Sequence, residues 1–295
     1  MNKEQGRIIK TYNGYYYVET ADKTVFTCKI KGKMKQIRFS LCTGDYVEFE
    51  VTGGEGMITE IMPRKNFLQR PTVANVDLVI VAFACVNPDF SFILADKLLA
   101  LAQMAHIPAV LCLNKLDLAP VGLVEKISTI YQQAGYQVYP ISAQTQEGLE
   151  ALRAAVSNQV TVFAGPSGVG KSSTLNALEP GLQLVTGGVS EKIGRGKHTT
   201  RFAHLLPFAG GYLVDTPGFG NLSLEEITLE QLYVAFKEFT EFAGACRFTT
   251  CTHTHEPGCA VKAALAEGVI ATSRYESYLM IMQEIKTKKE KDGRK

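Results

Sequence analysis

The sequence lacks any apolar run approaching the roughly 20 residues that cross a bilayer, so we expect no membrane-spanning helix. Residues 1–5 lack the apolar core of a secretory signal peptide. Neither sign of charge dominates, because the formal net charge is only +2, and no fixed-period repeat is present. The seven cysteines are an odd number, which argues against a secreted disulfide framework. These absences predict a cytoplasmic protein without a membrane partner.

A glycine-rich turn carries the strongest chemical signal in the chain. It reads Gly165-Pro166-Ser167-Gly168-Val169-Gly170-Lys171-Ser172 and lies between the β-branched run 160–164 and a helix-like segment that begins at Ser173. This pattern is typical of a phosphate-binding loop, because glycines let backbone N–H groups and a helix N-terminus point at phosphate oxygens. We expect Lys171 to bind the β- and γ-phosphates and Ser172 to ligate Mg²⁺. A coincidental glycine-rich loop is the alternative, which the flanking strand and helix disfavour.

Two further motifs select the nucleotide. The apolar run 211–214 ends in Asp215-Thr216-Pro217-Gly218, where Asp215 can hold Mg²⁺ and the Gly218 N–H can contact the γ-phosphate. The run 108–113 leads into Asn114-Lys115-Leu116-Asp117. The Asp117 carboxylate suits the adjacent N1–H and N2–H₂ donors of guanine, and adenine offers no such pair. Each motif alone can be a surface turn, but all three at strand ends predict a GTP site.

The order of the motifs differs from that of ordinary small GTPases, in which the phosphate loop comes first. Here Asn114–Asp117 and a short Ser142-Ala143 motif, both assigned to GTP binding, precede the phosphate loop, and Asp215–Gly218 follows it. A circular permutation explains this order and leaves a core intact when the old termini lie close together. On these motifs the sequence resembles the circularly permuted GTPases, specifically the bacterial ribosome small subunit-dependent GTPase A family (the RsgA/YjeQ/YloQ type). The resemblance covers nearly the whole chain.

The predicted fold class is multidomain: an N-terminal β-barrel (OB-fold), a central circularly permuted α/β P-loop GTPase domain and a C-terminal helical zinc-binding domain. We place these domains at residues 1–67, 68–222 and 223–295. In the central part strands and helices alternate, which is typical of a doubly wound sheet whose ligands lie at the carboxyl ends of its strands. The expected central strands end near residues 83, 114, 141, 164 and 215, and the expected helices are 91–105, 121–134 and 148–156.

The N-terminal 67 residues contain five short β-rich segments punctuated by glycines, which fit an oligonucleotide-binding barrel. A basic stretch can follow a phosphate backbone, with tyrosines available for stacking. Its members are Lys29, Lys31, Lys33, Lys35 and Arg38. A solvated hairpin whose lysines keep an edge strand soluble is the alternative. The family resemblance implies both the barrel and an RNA-facing role.

Residues 194–201, between the phosphate loop and Asp215, are rich in glycine and basic residues, as expected of a switch I loop. An ordinary surface loop is the alternative. The resemblance implies Thr200 as a Mg²⁺ ligand, with Thr199 as the fallback.

Ras-type enzymes orient water with a glutamine soon after the D-x-x-G glycine, but here no glutamine lies nearby. His198 is the nearest substitute, because a neutral imidazole can orient a water, and the resemblance also suggests it. A solvated loop histidine is the alternative. The predicted catalytic set is His198, Lys171 and Thr200.

The C-terminal part contains a compact set of metal-ligand residue types, Cys246-x₄-Cys251-x-His253-x₅-Cys259. Three cysteines and one histidine at this spacing predict a closed, structural zinc site. His255 is a rival ligand, and the resemblance favours His253. A helix with Leu229, Leu232, Phe236 and Phe239 on one face is expected before the site, and helices at 260–267 and 273–286 after it. The other cysteines are expected to be ordinary interior residues.

Taken together, the residues predict a GTP hydrolase with Mg²⁺ beside GTP or GDP and one structural Zn²⁺. The resemblance implies a role in late assembly of the small (30S) ribosomal subunit, with 16S rRNA bound by the flanking domains, and we expect a monomer. A P-loop kinase is one rival, and the guanine-reading motif Asn114–Asp117 argues against it. A nucleotide-dependent RNA-binding switch with little hydrolysis is another, which the missing glutamine keeps open.

Overall fold

The computed structural model describes residues 2–30, 41–182, 184, 203–215 and 227–292. The chain divides into two compact units, of which the first comprises residues 1–78, 155–163 and 190–219 and the second the remainder. The strands, in chain order, are β1 (Asn2–Tyr12), β2 (Tyr15–Thr20), β3 (Val25–Ile30), β4 (Tyr46–Thr52), β5 (Glu55–Ile61), β6 (Phe67–Gln69), β7 (Thr72–Ala74), β8 (Leu78–Ala84), β9 (Ala109–Asn114), β10 (Val138–Pro140), β11 (Val160–Ala164), β12 (His204–Phe208) and β13 (Gly211–Asp215).

The α-helices, in chain order, are α1 (Phe92–Met104), α2 (Leu123–Gln133), α3 (Leu149–Val156), α4 (Lys171–Leu178), α5 (Thr240–Ala243), α6 (Ala260–Ala266) and α7 (Thr272–Asp292). Short 3₁₀ turns lie at Leu116–Leu118, Pro180–Leu182, Leu232–Ala235 and Lys237–Phe239. None of the helices in these described ranges combines the length and apolarity that crossing a membrane requires.

Five strands of the first unit close into the expected barrel. Strand β1 pairs with both β2 and β4, β2 pairs with β3, and β5 lies between β3 and β4. Alternate residues point inward, as the period of two in a strand requires. Its core consists of Ile8, Tyr16, Val18, Cys28, Leu41, Val47, Phe49 and Ile58. The predicted N-terminal barrel is therefore confirmed.

The same unit continues from the barrel into a hairpin whose first strand, β12, the sequence did not indicate. Lys10 of β1 pairs with His204 of β12, and His204 pairs on its other side with Asp215 of β13. Strand β13 in turn runs parallel to β11. Strand β12 was missed because it contains Pro207, and proline weakens the reading of a segment as a strand.

The second unit contains a parallel sheet in the order β10-β9-β8. Every residue of β8 is buried, as expected for a strand covered on both faces. Helices α1, α2 and α3 connect or follow these strands within one or two residues of their predicted bounds. Each expected central strand and helix is thus confirmed, and the polar ends of β9 and β10 meet at one edge of this sheet.

The predicted single helix through Leu229–Phe239 is wrong. The chain forms two 3₁₀ turns there, interrupted at Phe236, whose backbone is extended with φ −104° and ψ 98°. Leu232, Phe236 and Phe239 are nevertheless all buried, in one cluster with α6 and α7. Helix α6 matches its prediction, and α7 extends six residues beyond the expected end at Lys286, to Asp292.

A fully buried arginine joins this C-terminal cluster to α1. Arg274 of α7 donates to the Asp96 carboxylate at 2.6 Å and to both Glu238 carboxylate oxygens at 2.7 and 2.9 Å. The Tyr131 hydroxyl also donates to Asp96, at 2.8 Å. The Arg274 guanidinium lies 4.7 Å from the Phe236 ring centroid. Helix α7 therefore packs on α1, the helix between β8 and β9, through charges as well as apolar side chains.

Candidate functional site: a guanine nucleotide pocket and a metal centre

The glycine-rich turn has a backbone that only glycine can follow at two points. Gly165 has φ +149°, and a Cβ there would lie 2.0 Å from the Ala82 carbonyl oxygen. Gly170 has φ +90°, and its Cβ would lie 2.3 Å from Asn114 Nδ2. Both distances are below any real contact, so the loop approaches β8 and Asn114 more closely than an alanine allows. The next residue, Lys171, begins α4, which places the helix N-terminus behind the loop.

Lys171 is held inside its own loop. Its ammonium donates to the Gly165 and Pro166 carbonyl oxygens at 2.8 and 2.6 Å. Burial lowers the pKa of Lys171, because the charged form is disfavoured away from water. The negative charge of a phosphate group bound in the loop would stabilise the charged form of Lys171. Ser167 is exposed, whereas Pro166, Ser172 and Ser173 are half-buried around the loop and the first turn of α4.

Asn114 connects the phosphate loop to the predicted base-reading segments. It ends β9, is buried, and donates from Nδ2 to the Val169 carbonyl oxygen at 2.9 Å. Its Oδ1 accepts the Ala143 N–H at 3.1 Å. Lys115 adds a second connection, since its ammonium donates to the Gly168 carbonyl oxygen at 2.9 Å and to that of Asn87. Three motifs that are far apart in the chain therefore meet in one place.

Asp117 is oriented by the buried Ser142. It lies in the 3₁₀ turn Leu116–Leu118, and its Oδ1 accepts the Ser142 hydroxyl at 2.5 Å. The Ser142 oxygen in turn accepts the Thr145 N–H at 3.0 Å. Asp117 itself is exposed, so a carboxylate of fixed direction faces solvent beside the phosphate loop. Such a group can accept the paired N–H donors of guanine.

Asp215 is the last residue of β13 and is half-buried. It belongs to the first unit, and its place in the sheet is set by pairing with His204. Carboxylate and hydroxyl oxygens are the donor types that Mg²⁺ takes, so Asp215 and Ser172 fit that ion chemically. The predicted residues His198, Thr199, Thr200 and Gly218 lie outside the described ranges.

The structure brings together the four predicted metal ligands. The ligand atoms of Cys246, Cys251, His253 and Cys259 all lie within 4.8 Å of one another. His253 Nδ1 lies 3.4 Å from Cys259 Sγ and 3.6 Å from Cys246 Sγ. Burial lowers the pKa of His253, which favours the neutral imidazole that a metal requires. The rival His255 is exposed and lies outside the group.

Hydrogen bonds fix the backbone around this group. The Tyr275 and Tyr278 hydroxyls of α7 donate to the His253 and Thr252 carbonyl oxygens at 2.7 and 2.8 Å. Glu256 accepts the Thr252 and Thr254 N–H groups at 2.8 and 3.0 Å. Although burial opposes the shift, a hydrogen bond from the Thr252 hydroxyl at 2.6 Å and these N–H groups lower the pKa of Glu256, so its carboxylate stays charged. A donor set of three sulfurs and one nitrogen suits zinc.

Sequence reasoning missed some of the residues that hold these sites. Thr145 supports Ser142, and the three-residue spacing from a serine oxygen to a later N–H is a local signal for this bond. No comparable signal marks Asn87 or the tyrosines of α7, because their partners are distant in the chain. The four remaining cysteines, Cys28, Cys42, Cys85 and Cys112, are buried as expected.

A phosphate loop tied by an asparagine to a base-reading edge that precedes it in the chain defines a circularly permuted GTPase. Comparison with known proteins agrees with that class. The family model described as RsgA GTPase matches residues 61–225, and that described as RsgA N-terminal domain matches residues 5–58. The chain belongs to the RsgA GTPase family, and it is a GTP-hydrolysing enzyme of that family.

Individual relatives resemble the chain over almost its whole length. A protein from Caldanaerobacter subterraneus subsp. tengcongensis named Small ribosomal subunit biogenesis GTPase RsgA is 43% identical and covers 99% of both chains. One of the same name from Alkaliphilus metalliredigens is 46% identical, with 96% of this chain and 98% of the relative covered. The crystal structure of YjeQ from Thermotoga maritima has a TM-score of 0.86 at 37% identity, covering 96% of this chain and 99% of that one. The structure of YloQ, described as a circularly permuted GTPase, has a TM-score of 0.83 at 34% identity, covering 97% and 96%.

Proposed function

We propose that this GTPase acts in the biogenesis of the small ribosomal subunit, hydrolysing GTP while its flanking modules contact 16S rRNA. The observation that carries the enzymatic part is the bridge from Asn114 to Val169 and Ala143, which joins a phosphate site to a guanine site. The ribosomal part is supported by the names of relatives that match nearly the full chain. The acting form is a cytoplasmic monomer with domains at 1–67, 68–222 and 223–295.

Within the pocket, the loop Gly165–Ser173 binds the phosphates, with Lys171 on the β- and γ-phosphates. Asn114, Lys115, Asp117, Ser142 and Ala143 bind guanine and hold its surroundings. Mg²⁺ is held by Ser172, Thr200 and Asp215 and, when bound, neutralises charge on the phosphates. The Gly218 N–H contacts the γ-phosphate. Binding GTP displaces the Lys171 ammonium from the carbonyl oxygens it now contacts.

The water-positioning role falls to His198. Phe219 follows the D-x-x-G glycine and cannot polarise water, whereas a neutral imidazole can orient a water and relay its proton. Thr199 remains the alternative to Thr200 as a magnesium ligand. The metal at Cys246, Cys251, His253 and Cys259 is one structural Zn²⁺, because four protein ligands leave no open position for chemistry.

The outer face of the barrel supports the RNA-binding part of the proposal. Here cations lie over tyrosine rings: Arg7 is 4.4 Å from the Tyr46 centroid, and Lys29 is 5.2 Å from that of Tyr15. Both rings are exposed. Alternating cations and aromatic faces suit a single-stranded RNA, whose phosphates and bases they contact respectively. The basic residues 31–38 lie next to this face in the sequence but outside the described ranges.

The decisive experiment measures GTP turnover with and without purified small subunits, for wild type and His198→Ala. We expect subunits to raise wild-type turnover, and the variant to lose about 10²–10⁴-fold of it. Sedimentation with subunits should show that the GTP and GDP forms bind with different affinity, since a nucleotide shifts only equilibria that it binds unequally. Turnover that neither subunits nor the substitution change would contradict the proposal and favour a switch with little hydrolysis.

A further inference from the structure

The segment Leu41–Asp45, which we call the Thr43 segment, is buried and fixed on several sides. The Gly44 N–H donates to the Ile8 carbonyl oxygen of β1 at 2.7 Å, and the Ile8 N–H donates to that of Asp45 at 2.8 Å. Gly44 has φ +92°, and a Cβ there would lie 2.0 Å from the Ala74 carbonyl oxygen. Arg64 donates to both Asp45 carboxylate oxygens at 2.6 and 2.8 Å. The segment is therefore a rigid extension of the barrel.

One side chain of this segment reaches the hairpin that carries Asp215. The Thr43 hydroxyl donates to the Ala203 carbonyl oxygen at 2.7 Å, and both residues are buried. Ala203 directly precedes β12 and follows Thr200 by three residues. The next residue, His204, pairs with Lys10 of the barrel on one side and with Asp215 on the other. Lys10 of β1, His204 of β12 and Asp215 of β13 thus lie side by side on three adjacent strands.

A second connection reaches the same hairpin from the other end of β13. The Tyr212 hydroxyl accepts a hydrogen bond from Lys23 at 2.8 Å and contacts the Glu19 carboxylate. Glu19 belongs to β2, and Lys23 belongs to the turn after it. Tyr212 lies three residues before Asp215 on the same strand. Two side-chain bonds and one backbone pairing therefore fix β12 and β13 to the barrel.

We infer that Thr43 and Tyr212 are positioning residues for GTP hydrolysis, through which the barrel sets the place of Asp215. The inference rests on the proposed function in one respect, the assignment of Asp215 to Mg²⁺. Both residues belong to the first unit, whereas the base-reading segment Asn114–Asp117 and the phosphate loop belong to the second, so we expect neither to contribute directly to nucleotide affinity. Loss of either bond should therefore change the rate of the chemical step and the magnesium requirement, and leave GTP binding intact.

The test measures kcat, KM for GTP and the half-saturating Mg²⁺ concentration without ribosomal subunits. Thr43→Val keeps the shape and removes the hydroxyl, which leaves the Ala203 carbonyl unpaired. We expect about a tenfold fall in kcat with KM within about twofold, because small misplacements of catalytic groups have rate effects of this order. The magnesium requirement should rise, and Thr43→Ser, which keeps the hydroxyl, should restore wild-type values.

Thr59→Val is the matched control, since the Thr59 hydroxyl donates to the Glu48 carbonyl oxygen at 3.2 Å within the barrel. It should leave kcat unchanged. Equal kcat in folded Thr43→Val and Thr59→Val would overturn the inference. Should Thr43→Val fail to fold in a thermal melt, Tyr212→Phe decides: a kcat reduced about threefold at constant KM supports the inference, and an unchanged kcat overturns it. Asp215→Ala distinguishes a failure of this inference from a failure of the proposed magnesium site. Full turnover in that variant would contradict the magnesium site itself.

Discussion

Each unit of the molecule buries an aspartate against an arginine, but the two arrangements differ in exposure and in charge balance. In the first unit, Asp45 accepts two hydrogen bonds from Arg64 and one from the Cys42 N–H, and a quarter of the Arg64 side chain reaches solvent. In the second unit, Arg274 is 1% exposed and serves two carboxylates, Asp96 and Glu238. One cation therefore balances two buried anions there.

The difference shows how the same pair of residue types can serve different purposes. Loss of Arg64 would leave one buried carboxylate next to a position that is partly open to solvent, whereas loss of Arg274 would leave two buried carboxylates around a fully buried position. Burial raises the pKa of Asp96, although the charge of Arg274 opposes that shift. Loss of Arg274 should therefore destabilise the packing of α7 on α1. Helix α1 connects β8 to β9, the strand that ends at Asn114. Through α1, the C-terminal helix α7 is therefore fixed to the sheet that contains β9.

Metal removal should produce the largest difference between the two units. Cys259→Ser, or chelation of the wild type, should melt residues 227–292, because a structural zinc site contributes about 10–16 kcal/mol of binding energy in small domains. Hydrogen exchange should show lost protection in α6 and α7 and retained protection in β1–β5. His255→Ala is the control and should keep one metal per chain. Full metal content in Cys259→Ser would rule out the four-ligand site.

Arg274→Met should destabilise the protein by about 3–5 kcal/mol, because it leaves two buried carboxylates without a cation. Urea unfolding measures the loss. The triple variant Asp96→Asn, Glu238→Gln, Arg274→Met removes the charges together and should recover at least half of it. If the triple variant were less stable than the single one, the unpaired charges would not be the cause.

Arg64→Met should have a smaller effect, about 1–3 kcal/mol, because it leaves one buried carboxylate instead of two without a cation, and Asp45 keeps its hydrogen bond from the Cys42 N–H. It is the matched substitution in the first unit, measured by the same urea unfolding. Equal losses for Arg64→Met and Arg274→Met would erase the distinction between the two arrangements.

The pH dependence of Arg274→Met should show the smallest of these effects. A carboxyl whose pKa is raised in the folded state contributes stability below its unfolded pKa and loses it as pH rises through the folded value. Without Arg274 the pKa of Asp96 rises further, so stability should fall more steeply than in wild type as pH rises above the unfolded pKa of an aspartate, about 3.9. A flat profile for Arg274→Met would mean that Asp96 stays ionised.

The segments that form the candidate nucleotide and metal sites could be picked out because their residues are adjacent in sequence and their chemistry fixes the spacing. Gly165–Ser172, Asn114–Asp117 and Cys246–Cys259 each carry a complete local pattern. That Asn114–Asp117 meets Gly165–Ser172 could also be predicted, since parallel strands present their carboxyl ends at one edge. The exposed Asp117 beside Ser142 is the expected result of that rule.

The arginine network and the barrel junction could not be predicted, because nothing local distinguishes Arg274 or Thr43 from a surface residue. Their partners lie 178 and 160 residues away. The predicted helix at Leu229–Phe239 failed for the same reason. Its apolar spacing was right, but the backbone breaks at Phe236, where the next turn brings Glu238 to Arg274. Tertiary contacts overrode a correct local pattern.

Calorimetry of GTP and ATP binding tests the central claim most directly, namely that Asn114–Asp117 and Gly165–Ser172 form one guanine nucleotide pocket. We expect GTP to bind at least about 100-fold more tightly than ATP, because guanine offers two adjacent N–H donors to the Asp117 carboxylate and adenine offers no such pair. Asp117→Ala should remove that preference while phosphate contacts persist. Equal affinity for the two nucleotides in the wild type would contradict the account.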